Sequence, residues 1–209
     1  MTTPTLAARM PFSLQVPPSW FEFDVWRATR TGDLARLVDR RIGTDARLRP
    51  WRGVLLKALR AAAEHAEREG AVMCAAMTDP FGDDGVLAAL LTVFHTLGDP
   101  DPAGNTVEEI AAQLTAIAPT EASADRRRVE IITLDSGPAV RVYGTETVQL
   151  GGHPVESVVM HTLIPVPDGD GVLNVVLASP QAQLAETMLG LFEAISNTFA
   201  WAEEMPASA

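Results

Sequence analysis

Residues 160–180 read MHTLIPVPDGDGVLNVVLASP, two apolar runs on either side of an acidic turn that contains glycine. Such a turn is either a ligand-binding loop or the connection of a hairpin. Pro165 and Pro167 restrict the backbone on the approach, and Gly169 and Gly171 permit positive φ angles within the turn. The turn lacks the roughly 12-residue spread of oxygen ligands that an EF-hand needs to bind calcium. We therefore predict a hairpin of two strands.

Further sequence patterns typical of strands lie on the N-terminal side of this hairpin. Turn signals, Ser-Gly at 136–137 and Gly-Gly at 151–152, separate some of them. Two upstream runs are apolar on both alternating faces, which is typical of strands covered on two sides, and turn residues link them. The strand segments are RRRVEIITLD, PAVRVYG, TETVQL and VESVVMHTLIPV, preceded by AVMCAAMT and GVLAALLTVFHT joined through DPFGDDG, and by a short N-terminal strand at 12–16. The pattern predicts a largely antiparallel sheet of six to seven strands.

Helical spacing of apolar residues predicts four helices between and after these strands. The expected segments are about 33–42, about 50–69, the segment that begins at the capping box formed by Thr106 and Glu109, and a last helix from Pro180 to about Trp201. Because the strands are apolar on both faces, helices must pack on both faces of the sheet to shield them from water. The predicted fold class is α+β, an α/β/α sandwich with helices on both faces of the sheet.

At 209 residues the chain suits a single globular domain, 1–209, with a helical segment at about 33–69 and a frayed tail from about 202. Its formal charge of −11 repels phosphate backbones and anionic lipids, so we expect neither nucleic acid nor membrane as a partner. The densest basic stretch, 36–60, interleaves Arg with Asp. This mixture favours a solvated, ion-paired helical face over an anion-binding patch.

No apolar stretch of signal-peptide length opens the sequence, and no run of about 18 apolar residues occurs, so we expect a cytoplasmic protein. The single cysteine, Cys74, can form neither an internal disulfide nor a thiolate zinc site, and its place in AVMCAAM predicts a buried, inert thiol.

Motifs for catalysis are missing from the sequence. It contains no G-x-S-x-G elbow, no Walker loop and no G-x-G-x-x-G fingerprint, and its four histidines have no metal-binding spacing. We therefore expect no metal and no cofactor, and a non-enzymatic protein is favoured over an enzyme.

His161 is the most informative histidine, because it interrupts an otherwise apolar strand. A hydrogen-bonded structural histidine is the favoured interpretation. The alternative is a pocket between the sheet and a helix, lined by His161, Arg141 and Tyr143, in a small-molecule-binding protein or weak enzyme. Under that alternative, His161→Ala would abolish ligand binding and leave the thermal midpoint almost unchanged.

Four stretches carry a family resemblance over most of the chain: FSLQVPPSW, LDSGPAVRV, LIPVPDGDGVLNVVLASP and LFEAISNTFAW. They resemble uncharacterised proteins common in actinobacteria and, more distantly, the Mog1/PsbP-like fold. That resemblance implies one antiparallel sheet with a closing helix and a role as an adaptor or assembly factor, as in a Ran-binding protein and a photosystem subunit. The helical segment at about 33–69 departs from the small members of that fold.

The first functional hypothesis is therefore a non-catalytic protein–protein interaction or assembly module. Trp and Arg are enriched at interface hot spots. The candidate partner-binding residues are Trp20, Trp26, Arg40, Arg41 and Arg52. Homodimerisation is also possible, because an open sheet leaves edge strands for pairing.

Overall fold

A computed structural model describes residues 12–82, 85–98, 102–117, 127–150, 153–167 and 171–202. The strands are β1 (Phe12–Ser13), β2 (Trp20–Glu22), β3 (Ala71–Phe81), β4 (Gly85–Thr96), β5 (Arg128–Leu134), β6 (Gly137–Leu150), β7 (His153–Pro165), β8 (Val172–Ser179) and β9 (Ala200–Trp201). The α-helices are α1 (Arg30–Thr44), α2 (Arg52–Arg68), α3 (Val107–Ile117) and α4 (Ala185–Ser196), and short 3₁₀ segments span Ala46–Trp51, Pro102–Asn105 and Ala182–Leu184.

Seven of the strands form one antiparallel sheet in the order β2-β3-β4-β8-β7-β6-β5. The sheet is open, so β2 and β5 are its edge strands. The hairpin of β7 and β8 lies near its middle, in a register that runs from Val158 opposite Ser179 to Pro165 opposite Val172. The predicted α+β class with helices on both faces of an antiparallel sheet is confirmed.

One face of the sheet packs against α4. Successive side chains of a strand point to opposite faces, so alternate residues share this face. Phe192 and Met188 of α4 are fully buried against it. Strand residues of this core include Ala75, Met77, Leu91, Val93, Ala139, Val158, Met160, Val175 and Leu177.

The opposite face carries the other three helices. Helices α1 and α2 bury Leu34, Val38, Leu55 and Leu59 in a cluster with Cys74 and other residues of β3 and β4. Helix α3 covers the far side of the same face, where Val107 and Ile110 pack on Val140 and Val142 of β6. Each of these helices has apolar residues at helical spacing, which form the face that packs on the sheet.

The last helix is shorter than predicted. It ends at Ser196 and the chain then turns back, so that Trp201 pairs with Phe12 in the two-stranded sheet of β1 and β9. Phe199 stacks on Phe12 with ring centroids 5.6 Å apart, and Gln15 N–H donates to Thr198 Oγ1 over 2.8 Å. Burial of aromatic rings here outweighs continuation of the helix. The tail predicted from about 202 lies outside the described residues from 203 onward.

Two other predicted boundaries were wrong. The segments PAVRVYG and TETVQL form the single strand β6, because its ladder with β7 runs without a break from Val140 to Leu150. The helix expected from Pro50 begins at Arg52, and Pro50 lies in the preceding 3₁₀ segment, where its missing N–H costs little.

The turn between β7 and β8 closes a hairpin, as predicted. Val166 N–H donates to the carbonyl of Gly171 over 2.8 Å, and Gly171 has φ +117°, a conformation that favours glycine. A Cβ at Gly171 would overlap the carbonyl oxygen of Thr96 at the end of β4. The turn is therefore packed onto the neighbouring strand. Gly169 lies outside the described residues.

Candidate functional site

The helical hairpin of α1 and α2 differs in charge from the rest of the chain. Residues 30–69, named here the basic hairpin, contain ten of the sixteen Lys and Arg residues and six of the twenty-seven Asp and Glu residues, a formal charge of +4. The remaining six cations and twenty-one acids give the rest of the chain −15. Charge is thus strongly segregated in the molecule.

Several cations of the basic hairpin are used within the fold. Arg52 donates from Nε and Nη2 to the two carboxylate oxygens of Asp39, over 2.6 and 2.9 Å, which joins the start of α2 to α1. This hydrogen bonding lowers the pKa of Asp39 and raises that of Arg52. Arg30 pairs with Glu67 over 2.7 Å and joins the other end of the hairpin. These pairs orient the two helices.

Arg41, a predicted partner-binding residue, contacts the sheet. Its Nε donates to the carbonyl of Thr78 over 2.9 Å, and its guanidinium pairs with Asp79. The edge strand β2 pairs with residues 75–77 of β3 and leaves Thr78 beyond its reach. Arg41 therefore covers a backbone acceptor at an open part of the sheet edge.

Two further carboxylates of the basic hairpin are engaged locally. The pKa of Asp33 is lowered first by the hydrogen bond from Thr29 and then by that from Arg36. The pKa of Asp45 is lowered by hydrogen bonds from the side chain and backbone of Arg47. Both carboxylates therefore stay ionised and accept hydrogen bonds from residues close to them in the sequence.

Four exposed cations of the basic hairpin remain without an ion pair among the described residues, and one of them is Arg68, the last residue of α2. Arg40, Arg49 and Lys57 form no ion pair with a carboxylate in the part of the chain that the structure describes. Arg40 follows the buried Val38 by two positions and Lys57 follows the buried Leu55 by two. Two residues correspond to about 200° around a helix, so both cations lie on the face turned away from the sheet.

The two predicted tryptophans lie in different environments. Trp20 is 6% exposed and pairs with Met77 in the sheet, so nearly all of its surface is covered within the fold, and the partner-binding role expected for it stays a prediction. Trp26 is 48% exposed, and its Nε1–H donates to the carbonyl of Ala71 over 2.9 Å. That bond fixes the indole at the surface, and the partner-binding role expected for Trp26 stays a prediction.

A cavity of about 330 Å³ lies beside Trp26, between residues 22–26 and 71–74. Cys74 lines it, and burial raises the pKa of the thiol to about 12, with a smaller contribution from Asp24. The predicted buried thiol is confirmed, and its pKa keeps it protonated near neutral pH. This volume is near the lower end for a small-molecule site.

Arg141 is 4% exposed and lies on the face of the sheet that α4 covers. Its guanidinium donates to Asn197 Oδ1 over 2.8 Å, to Ser196 Oγ over 3.1 Å and to Glu193 Oε1 over 3.1 Å. Arg141 thus fastens the end of α4 to the sheet. Its partners lie in the last turn of α4 and at the residue that follows it, and sequence reasoning did not connect these positions to β6.

His161 lies on the opposite face of the sheet. It is paired in register with Val142 and Val176, and its Nδ1 is 3.3 Å from Asn174 Nδ2. Burial lowers the pKa of His161, while Glu146 and the contact with Asn174 raise it. Asn174 was missed by sequence reasoning, although a polar residue in the apolar run VLNVVLAS was a usable signal.

Of the three residues proposed to line one pocket, Tyr143 and His161 line the same small cavity and Arg141 does not. Arg141 is opposite Thr162 and Tyr143 opposite Met160, so both side chains alternate with His161 and point to the other face. The cavity beside His161 has a volume of about 10 Å³, enough for about one water molecule. A ligand-binding role for any of the three stays a prediction.

The described residues show neither a metal-binding cluster nor a membrane-spanning helix. Among the described residues, no group of three His, Cys, Asp or Glu side chains comes close enough to hold a metal ion. No helix in that part of the chain has both the length and the apolar character needed to cross a membrane.

No protein-family model and no curated protein matches the sequence. Among solved structures, the chain is similar to the crystal structure of LpqN, involved in cell envelope biogenesis of Mycobacterium tuberculosis, with 12% sequence identity and a TM-score of 0.44. The alignment covers 90% of this chain and 82% of LpqN. A likeness of this size carries no inference about function.

Proposed function

We propose that the protein is a non-catalytic interaction module whose basic hairpin binds an acidic surface of another protein. The observation that carries this proposal is the segregation of charge, with +4 on residues 30–69 and −15 on the remainder. A field of this kind orients an acidic partner toward the hairpin and repels it from the other surfaces.

The exposed side chains of the basic hairpin suit such a contact. Arg40, Arg49 and Lys57 offer cations that no described carboxylate neutralises. Val54, an exposed apolar residue, lies three positions before Lys57 and therefore on the same side of α2. Trp26 adds a fixed, half-exposed indole near the start of α1. Apolar and aromatic anchors among cations are typical of protein interfaces.

A protein partner fits this surface better than a nucleic acid. A long polyanion would extend past the hairpin into the field of the remaining −15. Part of the hairpin's own charge is also consumed by the Arg52–Asp39 and Arg30–Glu67 pairs. A folded partner needs only a local acidic patch of matching size.

The sequence resemblance to the Mog1/PsbP-like fold supports the same proposal. Members of that fold serve as adaptors or assembly factors, although no partner-binding residue can be transferred from them. Apart from Trp26, the positions that we assign to the contact belong to the helical segment at about 33–69, in which this chain departs from the small members.

The first experiment is affinity purification of the tagged chain from its native host, with mass spectrometry of the bound proteins. A triple variant, Arg40→Glu with Arg49→Glu and Lys57→Glu, is compared with Arg128→Glu, an exposed cation on β5. We expect a stoichiometric acidic partner that the triple variant loses, that Arg128→Glu keeps, and that added salt releases. Circular dichroism checks that both variants fold.

Direct binding to a fluorescent polyglutamate peptide provides a defined probe of the same surface. The triple variant should bind it at least about tenfold more weakly than the unchanged chain, since each lost cation removes an attraction and each Glu adds a repulsion. Three results would overturn the proposal: a partner retained by the triple variant, a single-stranded DNA bound more tightly than polyglutamate of equal charge, or a copurifying small molecule without any protein partner.

A further inference from the structure

The two edges of the seven-stranded sheet are protected differently. At one edge, β2 is three residues long and Arg41 covers the carbonyl of Thr78 on β3. At the other edge, β5 is seven residues long, and no strand among the described residues pairs with its outer side. An uncovered edge of this length is a template for pairing with another chain.

The sequence of β5 lacks several of the devices that usually prevent such pairing. It contains neither proline nor lysine, and its register with β6 runs without a bulge from Arg128 opposite Tyr143 to Leu134 opposite Gly137. Ile131, at its centre, is a large apolar side chain with 50% exposure. A chain that docks on this edge would bury part of that side chain.

We propose that two copies of the chain pair through antiparallel β5 strands, so that their seven-stranded sheets become continuous. A two-fold axis perpendicular to the sheet keeps each face continuous, and only residues of the same face can then lie opposite each other. With the axis at Ile131, this residue meets its own copy. Arg127 then lies opposite Asp135 of the second copy, a complementary pair at each end.

Other registers that preserve the faces are less favourable. An axis at Glu130 places two like charges directly opposite each other, which is destabilising. An axis at Val129 places Ile132 and the residues after it opposite positions outside the described residues, so fewer residues of β5 pair with each other. The register centred on Ile131 pairs all seven residues of β5 and creates no like-charge pair.

The charge of the chain also favours this edge. Two chains of −11 each repel one another, so contact is easiest where the local charge is close to zero. Arg127, Arg128, Glu130 and Asp135 sum to zero around the edge. Arg127 already pairs with Glu146 of its own chain, and the five donors of a guanidinium can serve a second carboxylate as well.

Sedimentation equilibrium over a concentration series tests the dimer. We expect a monomer–dimer equilibrium that Ile131→Lys shifts to monomer by at least about tenfold in dissociation constant, since a charge replaces the apolar contact. Leu97→Lys is the matched control, because Leu97 is 77% exposed and lies outside both edge strands. A chain that stays monomeric, or a dimer that Ile131→Lys leaves unchanged, overturns the proposal.

Cross-linking tests the register. In an antiparallel pair, directly opposite Cα atoms are about 4.5–5.5 Å apart, within the range of a disulfide. Ile131→Cys should therefore form a covalent dimer with oxidised glutathione, while Thr133→Cys should not, because the two copies of that position lie about 13 Å apart. The native Cys74 is buried and does not compete. Efficient cross-linking at 133 but not at 131 would refute the register.

The dimer and the proposed function can fail separately. Dimerisation depends on backbone hydrogen bonds and an apolar contact, so we expect it to persist at a salt concentration that releases the acidic partner. The triple variant of the basic hairpin should dimerise normally, and Ile131→Lys should still bind polyglutamate.

Discussion

Arg141 on β6 and Thr162 on β7 lie directly opposite each other, and each has a buried polar atom without a hydrogen-bond partner among the described residues. These atoms are Arg141 Nε and Thr162 Oγ1. The other nitrogens of Arg141 bind the end of α4. In a buried polar network, an atom without a hydrogen-bond partner lowers the stability of the fold, and a hydrogen bond that is formed raises it.

Removal of the hydrogen bonds between Arg141 and the end of α4 should be destabilising. We expect Arg141→Ala to lower the free energy of unfolding by about 2–4 kcal/mol, because Ser196 and Asn197 lose a charged donor and α4 loses its tie to the sheet. Urea denaturation measures the change. Arg128→Ala, an exposed cation on the adjacent strand, should change stability by less than about 0.5 kcal/mol. Equal effects of the two changes would show that the tie contributes nothing specific.

Removal of the unpaired hydroxyl of Thr162 should have the opposite effect. Thr162→Val replaces the unpaired hydroxyl with a methyl group of similar size, so we expect the free energy of unfolding to rise by about 1 kcal/mol. Thr147→Val, at an exposed position of β6, is the control for a change in strand propensity. A loss of stability in Thr162→Val would mean that the hydroxyl has a partner, such as a bound water.

The different burial of the two tryptophans can be tested directly. Trp20→Ala should lower the free energy of unfolding by about 3–5 kcal/mol, as for other large core residues. Trp26→Ala should lower it by about 1 kcal/mol or less and should instead weaken partner binding. Thermal and urea denaturation measure the free energy of unfolding of the two variants. The reverse order of stability would contradict the structure.

Two glycines provide opposite expectations for the same substitution. Gly171→Ala should destabilise the fold by about 2 kcal/mol, because of its φ of +117° and the overlap with the carbonyl of Thr96. Gly190→Ala should stabilise it by about 0.5–1 kcal/mol, because Gly190 is inside α4 with open space around it. Differential scanning calorimetry compares the two, and a stable Gly171→Ala would show that the turn can move away from β4.

The pH dependence of stability should report His161. Burial lowers its pKa below 6.5 in the folded chain, so the unfolded chain takes up a proton first as the pH falls. We therefore expect this residue's contribution to stability to be full above about pH 6.5 and to decrease below it, with a slope of at most about 1.4 kcal/mol per pH unit. Urea denaturation between about pH 7.5 and 5.5 measures the slope.

His161→Gln is the variant that isolates this contribution. It should flatten the slope, whereas His65→Gln, on an exposed position of α2, should leave it unchanged. An unchanged slope in His161→Gln would mean that the ring reaches solvent in solution.

The sequence predicted the sheet well because alternation, turn residues and capping are local signals. The hairpin at 160–180 and the helix that begins after Thr106 depend on neighbours in the chain, and Thr106 Oγ1 does accept from the N–H of Glu109 over 3.3 Å. The end of α4 could not be predicted in this way, since the stacking of Phe12 on Phe199 joins residues from the two ends of the described chain.

The separation of Arg141 from His161 could not be predicted for a different physical reason. Whether Arg141 and His161 share a face depends on the register of β6 against β7, and a shift of one residue moves every side chain to the other face. Local patterns do not determine that register. Burial of Trp20 and exposure of Trp26 likewise depend on which strand the N-terminal segment joins.

The pairing of Phe12 with Trp201 brings the two ends of the described chain side by side. Paired strands are about 5 Å apart, so a peptide of a few residues could join position 12 to position 201 without disturbing either one. The backbone would then form a ring that could be reopened elsewhere. A circular permutant should keep the same sheet, and its folding rate would show how far closure of these ends limits the assembly of the fold.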